Sequence, residues 1–121
     1  MRRLLWGLLI AVLSVLSFSP AGAHSRLERA SPAAGSTIQR SPPQLKLWFT
    51  ERLEPAFSKV RVLDRNGKQV DKADPEVDGA DAKLLRVSLP KLAPGTYRVQ
   101  WRVLSVDTHV IEGDFTFDVA P

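Results

Sequence analysis

Thr96-Tyr97-Arg98-Val99-Gln100-Trp101-Arg102-Val103 sets Tyr97, Val99, Trp101 and Val103 on one side of an extended chain, with polar side chains on the other, because residues of a strand alternate between its faces. One apolar and one polar face mark a strand that covers a core and meets water. The same period recurs in Leu45-Lys46-Leu47-Trp48-Phe49, Lys59-Val60-Arg61-Val62-Leu63, Leu85-Arg86-Val87-Ser88-Leu89 and Phe115-Thr116-Phe117-Asp118-Val119. Turn chemistry separates these runs: Asp64-Arg65-Asn66-Gly67 carries an Asn-Gly pair, and Pro42-Pro43, Asp74-Pro75 and Pro94-Gly95 break the chain elsewhere. No window gives a long amphipathic helix. The pattern predicts an all-β fold, a β-sandwich or small Greek-key barrel of the shape found in immunoglobulin-like domains. Trp101, Phe115 and Phe117 are expected in the core, and Arg98 and Arg102 in solvent. The parity of Trp48 is opposite to that of Leu47 and Phe49, which leaves its burial open, and Asp71 to Ala82 reads as a surface loop.

Outward from the strands, the N-terminus has a different character. Arg2-Arg3 precedes an apolar run from Leu4 to Phe18, then Ser19-Pro20 and the small residues Ala21-Gly22-Ala23. That order is a secretory signal, with cleavage expected after Ala23. The apolar run is shorter than the ~20 residues a membrane-crossing helix needs, and no second apolar segment follows, so no membrane insertion is expected after cleavage. The expected division is residues 1–23 as signal peptide and 24–121 as one β domain. Removing 23 of 121 residues leaves 98, the size of a single small domain. Arg2 and Arg3 leave with the signal, so the net charge of +4 falls to +2. Basic residues are interleaved with acidic ones, which argues against a nucleic-acid partner. The chain has no cysteine and its single methionine is the first residue. No disulfide can brace the domain, and soft-metal chemistry built on thiolate or thioether is excluded.

Cleavage after Ala23 makes His24 the first residue of the mature chain. A terminal histidine offers its α-amine and its imidazole to one metal ion, two nitrogen ligands of the kind that suit Cu(II), Ni(II) and Zn(II). The only other histidine, His109, lies in Ser105-Val106-Asp107-Thr108-His109. In an extended segment Asp107 and His109 would project to one face and Thr108 to the other, so that a carboxylate and an imidazole share a patch.

The opening His24-Ser25-Arg26-Leu27 with Ala30-Ser31-Pro32-Ala33-Ala34-Gly35-Ser36 resembles that of the CopC family of periplasmic copper-resistance proteins. Leu47-Trp48-Phe49-Thr50-Glu51, Gly95 to Arg102, Ser105 to His109, and Gly113 before Phe115-Thr116-Phe117 agree in order. The resemblance covers essentially the whole mature chain. It implies a small Greek-key barrel, cupredoxin-like or immunoglobulin-like, in the periplasm, binding one Cu(II) ion. The implied ligands are His24 through amine and imidazole, His109 through imidazole and Asp107 through carboxylate, with Glu51 as an outer or fourth-position group. Some members carry a methionine-rich loop with extra histidine as a Cu(I) site; residues 64–79 hold neither Met nor His, so that site is not expected here.

The implied function is sequestration or transfer of copper without catalysis, by a monomer, with an inner-membrane copper transporter of the CopD kind as partner. Two other classes compete. A histidine-brace copper oxidase or monooxygenase would use the same terminal histidine, but 98 residues leave little room for a broad substrate surface, and an Asp107 ligand would fill a position that oxygen activation needs open. An immunoglobulin-like interaction module without metal would follow if His24 were not terminal.

Overall fold

The computed structural model describes residues 26–121. The expected export signal, its cleavage point and His24 lie outside the described residues. Among the described residues eight strands follow in order: β1 (Leu27–Ser31), β2 (Thr37–Ile38), β3 (Gln44–Phe49), β4 (Lys59–Leu63), β5 (Glu76–Val77), β6 (Leu84–Ser88), β7 (Gly95–Leu104) and β8 (Val110–Val119), with one 3₁₀ turn at Pro55–Phe57. They form two four-stranded sheets, ordered β1-β3-β6-β5 and β2-β8-β7-β4. The all-β fold expected from the alternation is observed, and of the sandwich and the barrel it takes the two-sheet form.

The long β7–β8 hairpin lies at the centre of its sheet. Its register sets Tyr97 opposite Phe117, Val99 opposite Phe115, Trp101 opposite Gly113 and Val103 opposite Ile111. Tyr97, Val99, Val103, Phe117 and Val119 are buried, and Leu45, Leu47, Phe49, Leu85 and Val87 face them from the other sheet within one core cluster. Burying a side chain of this size is worth about 1.5–3 kcal/mol. With no disulfide, that layer must hold the two sheets together. Tyr97 also donates its hydroxyl to the carbonyl of Ala93 at 2.6 Å, four residues upstream, fastening the Pro94-Gly95 turn to the strand it starts. Burial, chiefly, pushes the Tyr97 phenol above its ordinary pKa.

Trp101 is partly buried, as the inward parity of β7 requires. Its ring packs edge-on to Phe49 at 6.3 Å and lies 5.7 Å from Phe115. It also covers Gly113: a Cβ there would fall 2.4 Å from Trp101 Cζ2. Trp48 lies on the outer face of β3, half-buried, with the Arg29 guanidinium 3.9 Å from its ring centroid, a cation–π contact. Arg98 and Arg102 are exposed as expected and pair across the hairpin with Asp114 and Glu112, each at 2.5 Å.

Three short strands were not apparent in the alternation. β1, at one edge of its sheet, has no apolar period, and its register shifts at a bulge between Leu27 and Arg29. β2 is two residues paired in parallel with β8. β5 lies inside the segment expected to be a surface loop and pairs with β6. The acidic residues there do structural work: Asp71 accepts from the Val62 and Ala73 amides, Asp74 from Ser88, and Asp78 from Ala80 and Asp81. β8 also begins at Val110, five residues before Phe115, and Gly113 within it supplies space for Trp101.

Candidate metal centre

The β7–β8 hairpin closes through residues 105–109, which form a tight reversal and not the extended segment expected for Asp-x-His. The Thr108 amide donates to the Ser105 carbonyl and the Ser105 amide to the His109 carbonyl, both at 2.9 Å. Thr108 takes φ of +73°, a left-handed conformation that a β-branched residue adopts only when its surroundings impose it. The turn still brings the two side chains together: His109 Nδ1 stands 3.3 Å from Asp107 Oδ2, both side chains about half exposed (48% and 52%). The shared patch is therefore real, but it is produced by a turn and not by strand parity.

Ser105, wholly buried, organises the turn from below. Its hydroxyl donates to Asp107 Oδ1 and accepts from the His109 amide at 3.2 Å. The Asp107 carboxyl is held below its ordinary pKa, first by the Ser105 hydroxyl and then by His109. The residue types in Ser105-Val106-Asp107-Thr108-His109 mark Asp107 and His109 as ligands but not Ser105 as their support. The Ser-x-Asp spacing, which lets a hydroxyl reach a side chain two residues on, was the available signal.

A second segment ties this turn to the start of the described chain. The Val106 amide donates to the Arg52 carbonyl at 2.9 Å and the Glu54 amide to the Leu104 carbonyl at 2.8 Å. On the other side, the Thr50 amide donates to the Arg26 carbonyl at 2.9 Å, and the Arg26 amide to Thr50 Oγ1 at 3.0 Å. Residues 50–54 thus lie between Arg26, two positions after His24, and the Asp107–His109 turn. Glu51, half-buried, belongs to this bridging segment. Among the described residues no group of three or more His, Cys, Asp or Glu side chains is gathered as a metal site. Asp107 and His109 are a pair, and Glu51 does not complete a triad with them.

The pair suits a borderline divalent ion. Ligand atoms about 2.0–2.2 Å from one ion in neighbouring positions stand roughly 3 Å apart, close to the separation of His109 Nδ1 and Asp107 Oδ2. An imidazole and a carboxylate are donors that Cu(II), Zn(II) and Ni(II) accept.

Fold and turn together define a small two-sheet β domain that presents a carboxylate–imidazole pair at the end of its central hairpin. The family model described as the CopC domain matches residues 27–120, and the chain belongs to that family. It is 35% identical over 119 residues to copper resistance protein C of Xanthomonas campestris pv. juglandis, a match covering 91% of each chain. The crystal structure of CopC from Methylosinus trichosporium OB3b superposes with a TM-score of 0.76 at 40% identity, over 81% of this chain and 95% of that one. Copper transport protein CutJ of Bacillus subtilis is 28% identical over 120 residues, and the match spans only 22% of that protein's length.

Proposed function

We propose that this protein is an exported Cu(II)-binding protein of the periplasm that sequesters copper or hands it on, without catalysis. One ion is held by the α-amine and imidazole of His24, the imidazole of His109 and the carboxylate of Asp107, with Glu51 as an outer or fourth-position group. The observation that carries this reading is the 3.3 Å approach of His109 Nδ1 to Asp107 Oδ2, in a turn joined through residues 50–54 to Arg26. Two residues of chain span at most about 7 Å, so a terminus at His24 starts within short reach of this end of the domain. The names of the relatives, copper resistance protein C and copper transport protein, favour copper over the other ions the donors accept, and Cu(II) stands highest in the divalent affinity series.

The domain acts as a monomer beside an inner-membrane copper transporter of the CopD kind. CutJ supports such a partnership, since there a segment similar to this chain is part of a much larger copper transport protein.

The deciding experiment is a Cu(II) titration with electron paramagnetic resonance on protein beginning at His24, beside protein carrying one extra residue before it. Tight one-to-one binding with a nitrogen-rich tetragonal spectrum, lost or altered by the extension, is the expected result. Equal behaviour of the two proteins would remove the terminal chelate from the site.

A further inference from the structure

We propose that Ser105 is the positioning residue of the metal site: its buried hydroxyl fixes the Asp107 carboxylate by one oxygen, so that the other is turned toward His109. The inference rests on the reading of Asp107 and His109 as metal ligands and adds to it the group that holds them in place.

The geometry gives Ser105 three tasks at once. Its hydroxyl proton goes to Asp107 Oδ1, leaving Oδ2 as the oxygen that faces His109 Nδ1. Its hydroxyl oxygen receives the His109 amide at 3.2 Å, which fixes the backbone from which the imidazole projects. Its own amide and carbonyl close the reversal around Thr108. Both candidate ligands are on the surface and about half exposed, where a carboxylate would otherwise rotate freely and lose entropy on capturing an ion. Ser105 itself is completely buried and bridged to Leu53, so it transmits the rigidity of the sandwich to the two surface side chains. Serine suits this position because it donates and accepts through one short side chain; alanine can do neither. Outer-shell partners of this kind are worth about 10–100-fold in metal affinity.

The test compares the parent protein beginning at His24 with Ser105→Ala, Asp107→Ala and the double variant, each checked for folding by circular dichroism. Ser105→Ala is expected to bind Cu(II) about tenfold more weakly, and that loss should shrink when Asp107 is already alanine, leaving only what the bond from the His109 amide contributes. An equal loss in both backgrounds overturns the proposal, because Ser105 would then not act through Asp107. A metal-free arm reads the same inference without copper. Three-bond couplings in nuclear magnetic resonance should report a single Asp107 χ1 rotamer in the parent and averaging in Ser105→Ala. A parent whose Asp107 already averages overturns the proposal whatever the variants do. A parent that binds no Cu(II) but shows the rotamer change would sink the copper reading and leave the positioning role standing.

Discussion

At the scale of single residues, the Asp107–His109 turn separates what holds the fold from what is offered to a ligand. The bonds that close the reversal use the backbone of His109, whose carbonyl accepts from Ser105 and whose amide donates to its hydroxyl. The imidazole is about half exposed. His109→Ala should therefore leave the fold intact while removing a nitrogen ligand and lowering Cu(II) affinity by orders of magnitude, as read by competition against a chelator of known affinity. Unchanged affinity would take His109 out of the site. Asp107→Asn should cost less, since an amide oxygen can still accept from Ser105 and approach the ion without carrying charge. The depressed pKa of Asp107 has a definite sign. A carboxyl lowered in the folded state stabilises the fold above its unfolded pKa of about 3.9, and that contribution is lost only as pH falls through the still lower folded value. Asp107 therefore stays ionised from pH 5 to 8, and its protonation does not release copper in that range.

At the scale of elements, Gly113 shows how the hairpin is packed and why part of it was not legible in sequence. A Cβ at this position would lie 2.4 Å from Cζ2 and 2.8 Å from Cε2 of Trp101, an indole already flanked by Phe49 and Phe115. Gly113→Ala is expected to destabilise the domain by about 1–3 kcal/mol through overpacking, measured as a lowered urea midpoint. Gly79→Ala is the matched control: nothing lies within 4 Å of its Cβ position, and a surface change of this kind should stay within about 0.5 kcal/mol. The strands legible in advance, β3, β4, β6 and the middle of β7, bury one face, so burial writes itself into the sequence as alternation. β2 and β5 are two-residue strands chosen by the neighbour they pair with. β1 is bulged, and the first half of β8 contains the glycine that Trp101 demands. Such features depend on the tertiary partner and leave no local period. The candidate site divides in the same way. The residue types Asp107 and His109 could be read, whereas the turn that joins them and the Ser105 hydroxyl beneath it depend on a left-handed Thr108 and on burial.

At the scale of the whole molecule, one end of the sandwich gathers the start of the described chain, the 50–54 segment and the β7–β8 turn. An ion held jointly by His24 and by Asp107 and His109 would link the chain terminus to the central hairpin, so copper should stabilise the fold in a particular way. Binding to the folded state alone adds RT ln(1 + [L]/Kd), about 2.7 kcal/mol at a hundredfold excess over Kd. The unfolded chain keeps the amine and imidazole of His24, and whatever copper it holds through them cancels from the difference. Only what His109 and Asp107 add can raise the unfolding temperature. Cu(II) should therefore raise the Tm of the parent by several degrees at pH 7.5 but hardly move that of His109→Ala, even though both proteins carry the terminal chelate. The rise should shrink toward pH 5, because protons compete with the ion for nitrogen ligands. Thermal unfolding with and without one equivalent of Cu(II) at pH 7.5 and pH 5 reads both effects. No rise in either protein would mean that the ion rests on the terminus alone and that the two ends of the site do not meet, and an equal rise in both would take His109 out of the site.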